Sequence, residues 1–214
     1  MTDVWSRRAE GYRTAAEQRE GEDLDQIVAW CAAFRTALDV ATGGGHVARR
    51  LREAGLDVVT CDPAPGMQPD VICRAEDLPF ADESFDAVVT RIAPHHFVDV
   101  DAAVRAMARV TRDLLVVEDT LFSSDAVEEA ERLRDPTHVR SYTEAEWRRF
   151  LGAAGLAVEE VRLVDKTHPF EAWLARTGCS GEEAARVREL LAERTTHDGS
   201  AWTDTKILLR ARKT

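Results

Sequence analysis

Along the first part of the chain, Trp5 to Ala16 and Leu24 to Phe34 carry apolar residues at helical spacing, interrupted near Gly21, which predicts two helices ahead of any strand. The pattern then changes. Ala37-Leu38-Asp39-Val40-Ala41 reads as a buried strand, Gly43 to Gly45 as a tight turn, and His46 to Ala54 as the next helix. Val58-Val59-Thr60-Cys61 is a second strand ending at Asp62, and Val71-Ile72-Cys73 a third. The segment between them holds Pro63, Pro65, Gly66 and Pro69 and leaves almost no room for a helix. Phe85 to Ile92 is a fourth strand, Asp101 to Val110 a helix, and Leu114 to Glu118 a fifth strand. Strands written as continuous apolar runs are buried on both faces, so this alternation predicts a parallel sheet covered by helices on each side.

Beyond Asp119 the spacing predicts a helix near Ala126 to Leu133, and another opened by Thr143 with Glu146 completing a capping box. A strand near Val158 to Val164, a helical region from Glu182 to Arg194 and a last strand from Lys206 to Arg210 bring the strands to seven. No repeat, low-complexity tract or linker divides the chain, so one domain is expected over 1–214. Its parts are a helical cap over 1–35, an alternating strand and helix half over 36–120, and further helices with the C-terminal strands over 121–214.

The 214 residues are ordinary globular material, with 44% hydrophobic and 31% charged residues. The formal charge of -11 changes the picture more, because such a field repels phosphate backbones and anionic membrane surfaces. A small-molecule substrate is therefore expected, with neither nucleic acid nor membrane as partner and a monomer or homodimer as the assembly. The four cysteines form no CxxC pair and read as free thiols in a reducing cytoplasm. The polar stretch Met1 to Gly21 has no leader-like apolar core. The six histidines are scattered without ligand spacing, so no metal is expected.

Gly43-x-Gly45-x-x-Ala48, with Asp62 about 20 residues on, fits a dinucleotide fingerprint. The same geometry serves S-adenosylmethionine, so the loop alone leaves both cofactors open. Other segments separate them. Asp39-x-Ala41-x-Gly43-x-Gly45 resembles motif I of the class I S-adenosylmethionine-dependent methyltransferases, in the form seen in ubiquinone- and menaquinone-biosynthesis relatives, with Ala41 in place of the first glycine. Ala75-Glu76-Asp77-Leu78-Pro79-Phe80-Ala81-Asp82-Glu83-Ser84-Phe85-Asp86 resembles the stretch leading into strand four of that superfamily, and Arg91-Ile92-Ala93-Pro94-His95-His96-Phe97 the stretch following it.

The resemblance implies a Rossmann-like α/β fold with a mostly parallel seven-stranded sheet, an N-terminal helical cap, and a reduced or absent helix between strands two and three. It implies S-adenosylmethionine as cofactor, bound by the half over 36–120 with 121–214 as substrate-side insertion and C-terminal strands, and S-adenosylhomocysteine as product. Asp39 would hold the methionine ammonium through water, and Ala41, Thr42, Gly43 and Gly45 would line the methionine part. Asp62, with Pro63 beside it, would bind the ribose, and the backbone of Ala75 and Glu76 would flank the adenine. Arg91 would lie near the methionine end, and Tyr12 would close over it from the cap.

Three departures accompany these matches. Arg74 replaces the acidic residue that usually receives the adenine amino group, and it has donors only. The Pro-rich loop Pro63 to Pro69 thins one wall, and no Pro-Gly-Gly turn precedes strand five. Weak cofactor binding, or a pocket completed by substrate, is the expectation.

His95 and His96 follow strand four, at the sheet edge where open α/β folds place ligands, and imidazoles titrate near neutrality. They are the candidate catalytic residues, to orient or deprotonate the acceptor. His138 and Arg140 rank behind them, then His168 with Phe170 and Trp173, while His46 reads as a helix-start residue. The run Glu128, Glu129, Glu131 with Arg132 and Arg134 reads as a solvated helix face. The expected reaction is methyl transfer to oxygen, carbon or nitrogen of a small metabolite, aromatic or quinone-like compounds included. A methyltransferase fold recruited for cyclisation or rearrangement is the alternative, ahead of a nicotinamide-dependent oxidoreductase.

Overall fold

A computed structural model describes residues 2–214, excluding the side chains of residues 2, 3, 16 and 17. Its centre is a seven-stranded sheet in the order β3-β2-β1-β4-β5-β7-β6. The strands are β1 (Thr36–Val40), β2 (Asp57–Asp62), β3 (Val71–Ile72), β4 (Phe85–Arg91), β5 (Thr111–Thr120), β6 (Leu156–Pro169) and β7 (Ala201–Lys213). All pairings are parallel except those of β7, which runs antiparallel between β5 and β6. The expected sheet is therefore the observed one.

Alternate strand residues sort to the two faces, as the two-residue strand period requires. Leu38, Val40, Val88, Leu115 and Val117 pack on one side against α5 (Val100–Val110) and α7 (Glu144–Ala153). Ala37, Ala87, Val89, Leu114 and Val116 pack on the other against α3 (Glu22–Cys31) and α4 (His46–Glu53). The capping box is present, with Thr143 and Glu146 each satisfying the other's backbone N–H. The missing Pro-Gly-Gly turn has a substitute, because Thr111 follows α5 directly and its hydroxyl donates to the Met107 carbonyl at 2.7 Å. A third cluster unites α6 (Asp125–Arg134), α8 (Phe170–Ala175) and α9 (Gly181–Leu190) around Trp173 and Trp202, whose rings lie 4.5 Å apart.

Five elements differ from expectation. A short helix α2 (Ala16–Arg19) stands between the two helices expected ahead of β1. β6 and β7 are 14 and 13 residues long, roughly twice the apolar runs that announce them, because their outer halves pair with each other through polar residues such as Asp165, Thr203 and Thr205. α8 carries only six residues, too few for a periodic signal. Glu128 and Glu131 are buried, which corrects the solvated-face reading of α6: Glu128 accepts from His138 and the Ser141 N–H, and Glu131 from Arg134.

Between β2 and β3 stands only the 3-10 turn Pro65–Met67, as expected. The cap supplies the wall instead. α1 (Thr2–Thr14) lies directly on this turn, with Ser6 Oγ accepting from the Gly66 N–H at 3.0 Å and Arg13 donating to the Gly66 carbonyl at 2.9 Å. A Cβ at Gly66 would stand 2.6 Å from the Ser6 Cα, so the helix sits as close as only glycine permits. Replacing Gly66 by Ala should push α1 outward at a cost of about 1–3 kcal/mol. The expected result is lower thermal stability with faster amide exchange over residues 4–14; unchanged exchange there would show that α1 does not depend on this approach.

Candidate functional site

The strand order reverses between β1 and β4, and a ligand crevice is expected outside the carboxyl ends of strands at such a point. A cleft of about 1160 Å³, counted to its open mouth, lies there. Two residues at its base have left-handed backbone, Ala41 just past β1 (φ 56°) and Ile92 just past β4 (φ 51°). For β-branched Ile92 this conformation costs about 1–3 kcal/mol, the kind of strain that folds keep at working sites.

The β1–α4 loop forms one wall. Asp39 is buried and one of its oxygens, Oδ2, accepts from the Thr42 hydroxyl at 2.6 Å and the Ala48 N–H at 3.1 Å. Burial pushes its carboxyl up to about 6 against the pull of those donors. Asp62 accepts from the Gly43 and Ala64 N–H groups, one on each oxygen, and burial raises it as well. Asp39, Ala41, Thr42, Gly43, Asp62, Pro63, Ala75, Glu76, Arg91 and Tyr12 all line the cleft. Gly45 does not: its φ of 74° caps α4, while Gly44 faces the cleft and the cap. A Cβ at Gly44 would meet the Tyr12 carbonyl oxygen at 2.7 Å. That carbonyl accepts from His46 Nε2 at 2.9 Å, so His46 both starts α4 and ties the cap to the glycine loop.

At the other end, half-exposed Arg74 turns along the surface to Glu76 at 3.2 Å. Glu76 also accepts from the Val98 and Asp99 N–H groups, which fixes the segment before β4 against the turn that follows it. Arg91 is engaged from within. Its guanidinium donates to Asp23 at 2.5 Å, Glu118 at 2.8 Å and the Gln18 carbonyl at 3.1 Å.

Past Tyr12, Gln18, Ile92 and His96, which line both spaces, the cleft adjoins a second chamber of about 570 Å³, likewise counted to its open mouth. Residues not expected at the site form its far side: Arg134, Lys166, Arg176 and Lys206 with Glu131, Asp135 and Asp204. His95 and His96 share the 3-10 turn Pro94–His96, and their rings lie 4.1 Å apart. His96 Nδ1 donates to the Thr137 carbonyl at 3.0 Å. His95 Nδ1 meets the fully buried Asp119 at 2.5 Å, leaving Nε2 for the chamber. Burial pushes the His95 imidazole down to about 3 and the Asp119 carboxyl up to about 7, and His96 is likewise held well below its ordinary value.

His168 and Trp173 line the same chamber, whereas Phe170 belongs to the α6–α8–α9 core. His138 packs 5.4 Å from the His95 ring and bonds Glu128, and Arg140 pairs with Glu146. Asp119 was missed because an acidic residue ending an apolar run reads as a strand terminus. Among the described residues, no cluster of three His, Cys, Asp or Glu could hold a metal, and no helix is long and apolar enough to cross a membrane.

The chain is similar to known methyltransferases. A family model described as a methyltransferase domain matches residues 38–114. An uncharacterized methyltransferase of Bacillus subtilis, YcgJ, is 30% identical over 208 residues, covering 86% of this chain and 82% of its own. A crystal structure of a putative methyltransferase from Bacillus halodurans, 30% identical, superposes with a TM-score of 0.77 over 90% of this chain and 99% of its own. A demethylmenaquinone methyltransferase of Beutenbergia cavernae is 40% identical over 85 residues, 35% of each chain. The chain thus belongs to the methyltransferase family, within the class I S-adenosylmethionine-dependent superfamily.

Proposed function

We propose that the protein transfers a methyl group from S-adenosylmethionine to an oxygen or nitrogen of a small molecule held in the second chamber. The observation that carries this reading is the shared wall of Tyr12, Gln18, Ile92 and His96, which sets a chamber with two imidazoles against a cleft built on Asp39, the glycine loop and Asp62.

The cleft residues fit the cofactor. Each oxygen of Asp62 takes one backbone N–H, which leaves lone pairs for two ribose hydroxyls. Asp39 uses Oδ2 on its own loop and keeps Oδ1 for an ammonium or its water. Thr42 and Gly43 border the methionine part, and the Ala75–Glu76 backbone borders the adenine. Glu76 takes Arg74 and two backbone N–H groups on Oε1 alone, which leaves Oε2 to accept from the adenine amino group in place of the acid that Arg74 replaces. When bound, S-adenosylmethionine supplies a methyl on a positively charged sulfonium, an excellent leaving group. The protein's tasks are then alignment, exclusion of water and proton removal.

His95 is placed for the last task. With the Asp119 carboxylate accepting from Nδ1–H, its Nε2 carries the lone pair that takes the acceptor's proton. Asp119 acts through His95 by fixing this tautomer, and His96, held in the same tautomer by Thr137, borders the acceptor.

Calorimetric titration with S-adenosylmethionine, S-adenosylhomocysteine and a nicotinamide dinucleotide tests the reading. Both adenosyl ligands should bind and the dinucleotide should not, with Asp62→Ala weakening them roughly 10- to 100-fold. Affinity for S-adenosylmethionine should fall as pH drops through about 6, where Asp39 takes up a proton and loses its attraction for the ammonium. Asp39→Asn should flatten that dependence. Binding of the dinucleotide alone would overturn the assignment.

Once an acceptor is in hand, His95→Ala should lower turnover by about 10²-fold or more. The rate should rise with pH through about 7, as Asp119 ionises and becomes the acceptor of the Nδ1 proton, and Asp119→Asn should abolish that rise. A loss below a few-fold in His95→Ala would remove the base. Turnover without S-adenosylhomocysteine would identify a recruited fold.

A further inference from the structure

The second chamber offers little hydrocarbon; its apolar wall is limited to Ile92 and the rings of Tyr12 and Trp173. The rest is ionic, and its bonding is lopsided. Asp135 has both oxygens engaged by Arg8 and one also by Thr137, and Asp204 gives one oxygen to His168 and the other to Lys206. Glu131 accepts from Arg134 through Oε2. The wall carboxylates are therefore largely spoken for.

The cations keep donors in reserve. The Lys206 ammonium has three hydrogens and spends two, on Asp204 at 2.6 Å and the Thr120 hydroxyl at 2.7 Å. Arg134 gives Nε to the Trp173 carbonyl and Nη1 to Glu131, which leaves Nη2 and one Nη1 hydrogen. Both side chains are at least nine-tenths buried, 5% exposed for Lys206 and 10% for Arg134. Both also stand close enough to His95 to oppose a positive charge on its ring. Spare donors on buried cations are matched by an oxyanion, whereas an apolar ligand there would strip their water and return nothing.

We infer that the methyl acceptor is a small polar molecule bearing a carboxylate, received by Lys206 and Arg134, with its reacting hydroxyl or amine turned to His95. This rests on the methyl-transfer reading and narrows it away from quinones. Lys206, Arg134 and His95 line one and the same chamber, so the acceptor carries its carboxylate and its nucleophile on one small frame.

The test begins with the affinity for S-adenosylhomocysteine, whose absence would sink the methyl-transfer reading itself. Protein saturated with it is then titrated with 3-hydroxybenzoate, malate and serine, each beside its neutral amide, and with menadiol as a quinol. At least one acid should bind ten times more tightly than its amide and more tightly than menadiol. Lys206→Met and Arg134→Gln should each erase that preference while leaving S-adenosylhomocysteine affinity unchanged, which also shows that each variant is folded. With the adenosyl ligand bound, tighter binding of menadiol, equal binding of acids and amides, or no binding of any acid would each overturn the acceptor class alone.

Discussion

Arg91, the last residue of β4, meets Asp23 from α3 and Glu118 from β5, and Lys166 from β6 closes on Asp23 at 2.5 Å. All four side chains are at most 12% exposed, and the Gln18 carbonyl, in the chain leading to α3, takes a further guanidinium hydrogen. Removing one partner from such a set leaves a buried charge uncompensated, at about 3–5 kcal/mol. The set does more than hold strands together. It fixes the N-terminal segment against the carboxyl ends of β4 and β5, which closes the cleft on one side and the chamber on the other. This ionic set thus fixes the position of the cap, and with it the shape of both spaces.

The two spaces use burial in different ways. In the cleft, burial raises Asp39 and Asp62, so each carboxylate is held in a state that a cation or a hydroxyl donor relieves. In the chamber, burial keeps His95 and His96 as neutral rings, and proton uptake at His95 Nε2 then depends on the Asp119 carboxylate beside Nδ1. One physical cause thus acts on groups of opposite type, priming the acids for a cationic partner and keeping the imidazoles uncharged.

What the sequence disclosed follows from how local each feature is. β1, the glycine loop, α4 and Asp62 lie within one short stretch and share one continuous pattern, so their joint role could be read. Thr143 and Glu146 declared a helix start because a capping box is complete within four residues. The chamber could not be read in this way. Lys206, Arg134, Lys166 and Asp119 come from four elements, and each looks locally like an ordinary surface charge or a strand end. Burial of Glu128 and Glu131 likewise depends on His138, Ser141 and Arg134, and partners of that kind leave no periodic trace. The extra length of β6 and β7 escaped for a related reason, since strand pairing through polar residues satisfies the backbone without writing an apolar run.

The place of α1 on Gly66 and beside Gly44 has a thermodynamic consequence. A helix of 13 residues is marginal on its own in water, and this one borrows its order from the small cluster of Ala9, Ala64 and Met67 and from bonds to two loops. Those loops are the walls of the cleft. Folding of the helix and completion of the binding surface are accordingly a single equilibrium, and any molecule that fills the cleft draws the chain's first turns into register with the sheet.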